Sequence, residues 1–277
     1  MAIQRLPEPA VRAIGSCQAL TESSSLVKEL IDNALDAKAT SVAVEISANT
    51  LDVVQVKDNG HGIAPGDRDA MAVRYSTSKI SNLRELESLG GRSLGFRGVA
   101  LSAACQMAGR MAITTRTEGE SVAEACWIGK NGSIENRECA SHPVGTTVRI
   151  SDFLKCIPVR RENALKNSAK TLAKIQRTLR ACAFARPGVR FSLKVLKGGK
   201  CNWLYAPKKT PIQQLDLSLI IGKDAASQCI KCSYPPPIQD GGETSRGDCH
   251  DTYSIEAFIP RTDAGKGTDL SLIYSPC

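Results

Sequence analysis

Leu26-Val27-Lys28-Glu29-Leu30-Ile31-Asp32-Asn33-Ala34-Leu35-Asp36-Ala37 is the stretch on which the reading of the chain turns. At helical pitch Val27, Leu30, Ile31, Ala34 and Leu35 fall at i, i+3, i+4, i+7 and i+8, the apolar face of a buried amphipathic helix. Glu29, Asn33 and Asp36 fall at i, i+4 and i+7 and stack in one narrow stripe. A solvated helix face usually mixes Lys with Glu, whereas this stripe offers two carboxylates and an amide, donors that suit a metal ion and a water. By itself the stripe also fits an ordinary surface face. Ser23, Ser24 or Ser25 is available to cap the helix.

The residues downstream decide between the two readings. Asp52-Val53-Val54-Gln55-Val56-Lys57 alternates into Asp58-Asn59-Gly60-His61-Gly62-Ile63, so a strand ends where a carboxylate and two glycines appear. Further on stand Tyr75-Ser76-Thr77-Ser78-Lys79-Ile80, then Leu94-Gly95-Phe96-Arg97-Gly98-Val99-Ala100-Leu101, then Gly145-Thr146-Thr147-Val148. In this order the four motifs resemble the ATP-binding motifs of the GHKL superfamily. Their wording is similar to the MutL branch of mismatch-repair ATPases, on its eukaryotic, PMS-type side. The resemblance runs from Gln4-Arg5-Leu6-Pro7 to about Lys200.

The resemblance implies an α+β fold: a GHKL (Bergerat) ATPase α/β sandwich over residues 1–207, then a partial ribosomal-S5-like α/β domain over 208–277 that reads as truncated. The boundary is placed at Pro207-Lys208-Lys209-Thr210-Pro211. The cofactors implied are ATP and Mg²⁺. Asn33 offers an amide oxygen to Mg²⁺, a hard ion that prefers oxygen, and Glu29, one turn earlier, can hold or deprotonate the attacking water. In the family the residue matching Asp58 accepts from the adenine amino group. Gly60 and Gly62 let a base approach the backbone. Gly95, Phe96, Arg97 and Gly98 precede a helix start, whose unpaired amides bind phosphate. Thr77, Ser78 and Lys79 add hydroxyl and ammonium donors, and Thr146, with Thr147 as second choice, supports Asp58 from a neighbouring strand.

Two departures bear on turnover. Val99 stands where the MutL wording carries Glu after Gly-Phe-Arg-Gly, and no residue matches the lysine that the family's second domain sends to the γ-phosphate. The family's carboxy-terminal endonuclease region is not represented. A non-hydrolysing nucleotide- and DNA-binding scaffold is therefore the rival to an ATPase switch.

The bulk numbers fit this frame. The 277 residues have the apolar and charged content of a globular protein, and no run of 18 or more apolar residues or signal-peptide layout occurs, which points to an intracellular protein with no membrane partner. The eleven cysteines follow no disulfide-scaffold pattern and are expected to stay reduced. Cys229 and Cys232 with Cys249 and His250 have the ligand types for zinc, but adjacency of the second pair speaks against a site.

The net charge of +8 is concentrated: residues 155–200 hold thirteen Lys or Arg against one acid, Glu162. Within a helix expected over 163–185, Leu165, Ala169, Leu172, Ile175 and Leu179 form an apolar side, and Lys166, Lys170, Lys174 and Arg177 line up opposite. Such a face suits sequence-independent contact with DNA. From the resemblance come the other expected partners, a MutL-family paralogue as heterodimer partner and a MutS-family mismatch-recognition protein, and a nuclear location. Residues 63–98, punctuated by glycine, read as a lid. Residues 41–46 and 51–57 read as an antiparallel pair; 112–115, 123–128 and 146–150 as strands; 189–195 as an edge strand; 215–221, 254–259 and 270–274 as further strands.

Overall fold

Period-two burial builds the first part of the molecule. In β1 (Ser41–Ser47) Val42, Val44 and Ile46 are fully buried while their neighbours are half exposed. The same alternation runs through β2 (Val53–Asp58), β3 (Arg110–Arg116), β6 (Gly145–Ser151) and β7 (Arg190–Leu196), so one face of each strand is apolar. With β4 (Ala123–Ile128), β5 (Ile134–Ala140) and β8 (Trp203–Tyr205) they form an eight-stranded sheet in the order β5-β4-β3-β6-β2-β1-β7-β8. Only β1 and β7 pair in parallel; the other pairs are antiparallel.

The computed structural model describes residues 4, 6–77, 79, 93–95, 98–197, 202–207, 217–234 and 255–261. They fall into two compact units, Met1–Lys209 and Thr210–Tyr274. In the first, α2 (Ser23–Asp36) lays Leu26, Val27, Leu30, Ile31 and Ala34 into the core, all at most 3% exposed. It packs on β2 and on α5 (Ser168–Ala185), whose Ile175, Leu179 and Ala183 are fully buried. α1 (Glu8–Ala19) packs on α3 (Ala100–Met107). The result is a sheet with helices on its apolar face. No helix among the described residues is long and apolar enough to cross a membrane.

Several local expectations are corrected. No side chain caps α2: Glu22 occupies the N-cap position, and the Ser23 hydroxyl donates to the Thr50 carbonyl at 2.7 Å. The expected helix over 163–185 is two helices, α4 (Pro158–Lys166) and α5, parted at Asn167, whose side-chain amide donates to the Asn163 carbonyl at 2.9 Å. That bond competes with the helical ladder. The apolar face of α5 is centred on Thr171, Ile175, Leu179 and Ala183, while Leu165 and Ala169 are exposed. β7 is not an edge strand, because the short β8 covers its outer side.

The second unit contains α6 (Leu217–Ile221), α7 (Lys223–Ser227) and an antiparallel pair, β9 (Cys229–Tyr234) with β10 (Ile255–Pro260). Residues 217–221 are helical where a strand was expected, since a short apolar run fits either period. The strand expected at 270–274 lies outside the described residues. Cys229 and Cys232 stand three apart on β9 and so on opposite faces of it, the wrong placement for one metal; Cys249 and His250 lie outside the described residues.

Candidate functional site

Packing one face of α2 turns the polar stripe towards a cavity of about 1310 Å³. Glu29, Asn33 and Asp36 line it, together with Asp58, Gly62, Thr77 and Lys79. Gly95, Gly98 and Thr146 complete the set of expected residues that it brings together. Gly60 adjoins it, and Ser78, Phe96 and Arg97 lie outside the described residues, as do residues 80–92 of the expected lid.

One end of the cavity is organised by Asp58, the last residue of β2, 9% exposed. Its Oδ1 accepts the Gly60 N–H at 2.8 Å and the Thr146 N–H at 3.2 Å, whereas no donor among the described residues reaches Oδ2. Burial pushes this carboxyl above its usual range, against the pull of those two amides and of nearby His61. A buried carboxylate with one oxygen facing a cavity is an acceptor for a ligand N–H.

The two glycines beside it answer to the protein itself. A Cβ on Gly60 would lie 2.6 Å from the Ala37 carbonyl oxygen; Gly62 has φ +75° and a Cβ there would lie 2.3 Å from the Arg116 carbonyl oxygen. Their smallness lets the turn close onto α2 and β3.

Sequence reasoning missed Thr115. Fully buried on β3, its hydroxyl oxygen accepts the Ile63 N–H at 2.8 Å and lies 3.1 Å from the Thr146 hydroxyl, joining the glycine turn to β6. It also missed Arg68, 4% exposed on the 3₁₀ turn Pro65–Ala70. Its guanidinium donates to the Ile63 carbonyl at 3.1 Å, to Glu120 at 2.6 Å and to Glu124 at 2.9 Å. The Arg68 guanidinium, with the Thr117 amide and hydroxyl, holds the Glu120 carboxyl down at about 2. Nothing in periodicity marks a single buried Thr or Arg as a brace.

The other end begins at α3. Val99 is its N-cap, and Val99, Ala100 and Leu101 line the cavity, so the unpaired first-turn amides of the helix open onto it. Gly98, at φ +59°, has room for no Cβ, which would fall 2.4 Å from the Ser76 carbonyl oxygen, and its own carbonyl accepts the Tyr75 N–H at 2.9 Å.

Between the two ends Lys79 reaches α2. Its ammonium donates to Asn33 Oδ1 at 2.9 Å and to Asp36 Oδ2 at 2.5 Å. Asp36, part of the stripe but given no role by the sequence, also accepts from Leu94 N–H at 2.9 Å, Gly95 N–H at 3.2 Å and Ser93 Oγ at 2.9 Å. Burial raises its pKa, but these donors and Lys79 together outweigh burial and hold the carboxyl below its usual range. Asn33 Oδ1 and the Asp36 carboxylate offer oxygen, and the Lys79 ammonium is bound to both as a cation would be. The donor set therefore fits Mg²⁺.

The four expected DNA contacts lie elsewhere, exposed on two helices and not on one. Lys166 on α4 pairs with Glu162 at 2.8 Å and Lys174 on α5 pairs with Glu22; Lys170 and Arg177 are exposed on α5.

Known proteins share this fold. Residues 21–145 match the family described as histidine kinase-, DNA gyrase B-, and HSP90-like ATPase. The chain is 36% identical over 240 residues to the DNA mismatch repair protein MutL of Shewanella piezotolerans, covering 84% of this chain and 37% of the relative. To MutL of Xanthomonas oryzae pv. oryzae it is 34% identical over 236 residues, 84% of this chain and 36% of the relative. The chain thus spans little more than a third of the length of these relatives. A crystal structure of the N-terminal domain of a DNA repair protein superposes with a TM-score of 0.69 at 26% identity, over 83% of this chain and 66% of that one. The ATPase domain of Aquifex aeolicus MutL has the same fold, with a TM-score of 0.55 at 21% identity over 87% of this chain and 72% of that one.

Fold and cavity define a GHKL-type ATP-binding domain. Within that class its likeness is to MutL: over 84% of its length the chain is similar to bacterial MutL proteins. The expected nuclear location is overturned, because these relatives are bacterial proteins and bacteria have no nucleus.

Proposed function

We propose that this chain is the nucleotide-operated switch of a mismatch-repair protein, binding ATP and cleaving it slowly to ADP and phosphate. The observation that carries the reading is the meeting, in one cavity, of Asp58 with an unengaged oxygen, a helix N-terminus, and Glu29 one turn from Asn33. Asp58 Oδ2 accepts from the adenine amino group while Gly60 and Thr146 fix the carboxylate. The first amides of α3 and the hydroxyl of Thr77 receive the phosphates. Asn33 Oδ1 would hold Mg²⁺, which would supply positive charge to offset that of the phosphates. Glu29 orients a water and takes its proton as the terminal phosphoryl group is transferred.

The change of nucleotide is read out as a change of assembly, with a second MutL-family chain as partner and a MutS-family mismatch-recognition protein upstream. Similarity to MutL proteins over 84% of the chain supports this. The PMS-type branch finds no support in these relatives, which are bacterial. DNA is held on the exposed cations Lys170 and Arg177, joined by Lys166 and Lys174, whose surface ion pairs are too weak to bar a phosphate. The residues from 208 onward are assigned to the S5-like domain of such proteins.

A non-hydrolysing scaffold is the second reading, favoured by Val99 at the N-cap of α3 and by the unmatched lysine. Single-turnover hydrolysis with Mg²⁺ separates the two. The ATPase reading expects turnover in the wild type, ATP binding without turnover in Glu29→Ala, and loss of the Mg²⁺ dependence of binding in Asn33→Ala. ATP bound but intact in the wild type would establish the scaffold.

A further inference from the structure

Lys79 does something that an ATP site does not require of it. Its ammonium is seated on α2, 2.9 Å from the amide oxygen of Asn33 and 2.5 Å from Asp36 Oδ2, with both side chains of the ion pair largely shielded, 23% and 11% exposed. The seat is built around it. Asp36 is fixed by three further donors, the N–H groups of Leu94 and Gly95 and the hydroxyl of Ser93. Gly95 borders the seat: a Cβ there would lie 3.3 Å from Lys79 Nζ, 3.7 Å from Asn33 Oδ1 and 3.9 Å from Asp36 Oδ2. The acceptors are those of a cation site and the occupant is a cation.

We propose that Lys79 is the resident cation of the Asn33–Asp36 cradle when no nucleotide is bound, so that Lys79 and a divalent ion exclude one another there. This rests on the reading of Asn33 as the metal-binding amide. A metal ion on Asn33 Oδ1 would lie within a few ångströms of Nζ, where two positive charges in a half-buried site repel strongly. Metal entry therefore needs Lys79 to leave Asn33, and a nucleotide makes that exchange favourable, because its phosphates accept the displaced ammonium. Metal and nucleotide then bind cooperatively, and the empty protein does not hold a metal on its own. Asp36 is the positioning residue of this exchange, since it supplies the counter-charge that seats Lys79.

The test is Mn²⁺ binding to the nucleotide-free protein, followed by the electron paramagnetic resonance of the free ion. The wild type should bind Mn²⁺ weakly, and Lys79→Met should tighten binding by at least about tenfold, the size of one charge-assisted hydrogen bond no longer to be broken. Lys79→Arg, which keeps a cation in the cradle, should stay weak, and Asn33→Ala placed on Lys79→Met should remove the gain. Equal affinity in wild type and Lys79→Met, or a gain that survives Asn33→Ala, overturns the exchange. ADP binding in EDTA, measured on the same samples, separates the two levels. ADP bound with Mn²⁺ affinity unchanged defeats the exchange alone, whereas no ADP binding in any variant defeats the nucleotide reading and the exchange with it.

Discussion

Asp58 concentrates the chemistry of its end of the cavity in one atom. Two main-chain amides occupy Oδ1, so whatever the ligand donates must go to Oδ2. Asp58→Asn keeps the shape but, with its oxygen held by the two amides, turns an NH₂ towards the cavity. Donor would then face donor, and ATP should bind more weakly by about 1–3 kcal/mol. Inosine triphosphate, which offers an acceptor at that position, should lose less, so the ratio of the two dissociation constants measured by calorimetry should fall. An unchanged ratio would remove Asp58 from base recognition.

The same residue sets a pH dependence. Burial raises the carboxyl pKa, and a bound donor favours the ionised form. Nucleotide affinity should therefore be full above that raised pKa and fall as the pH drops through it, with proton release on binding near it. Asp58 was legible in the sequence because a strand ended in Asp-Asn-Gly-His-Gly; Thr115 was not, because a single buried Thr on a strand carries no periodic or spacing signal.

At the scale of elements, the turn after β2 is held from three sides: by Ala37 of α2, by Arg116 at the end of β3 and by the Thr115 hydroxyl. Gly62→Ala meets both a positive φ and a carbonyl 2.3 Å away, and should destabilise the fold by about 1–3 kcal/mol in urea unfolding. Gly66→Ala, where a Cβ meets nothing within 4 Å, should change stability by less than about 0.5 kcal/mol. Equal effects at the two positions would refute the packing account.

The Arg68 brace predicts its own pH window. Glu120 has its pKa lowered from 4.5 to about 2, so its contribution to stability is fully present above 4.5 and is lost as the pH falls through about 2. Glu120→Gln should flatten the acid limb of the stability curve over that interval; an unaltered limb would show that the pair contributes nothing.

Elements also show why some of the fold was readable and some was not. α2 announced itself because an apolar period and an unusual polar stripe coincide on it. The break at Asn167 did not, because it depends on which way one amide side chain turns. β5 was invisible for a related reason: its inner five residues are all exposed at the sheet edge, so no alternation marks it.

On the scale of the whole molecule, the concentrated positive charge and the cavity are kept on different elements. The cations of residues 155–200 lie mainly on α4, α5 and β7, while the cavity is lined from α2, the turn after β2 and the start of α3. DNA binding through Lys170 and Arg177 should weaken steeply with salt, and replacing either with Ala should reduce the slope of log K against log salt by about 0.9. A slope unchanged in both variants would place the DNA elsewhere.

The measurement that bears most directly on the account is calorimetric titration of the wild-type chain and of Asp58→Ala with ADP. Saturable one-to-one binding in the wild type, with loss of at least about tenfold in affinity on removing one buried acceptor, is the predicted result. No ADP binding by folded wild-type protein, or equal binding by Asp58→Ala, would contradict the assignment of this cavity to an adenine nucleotide.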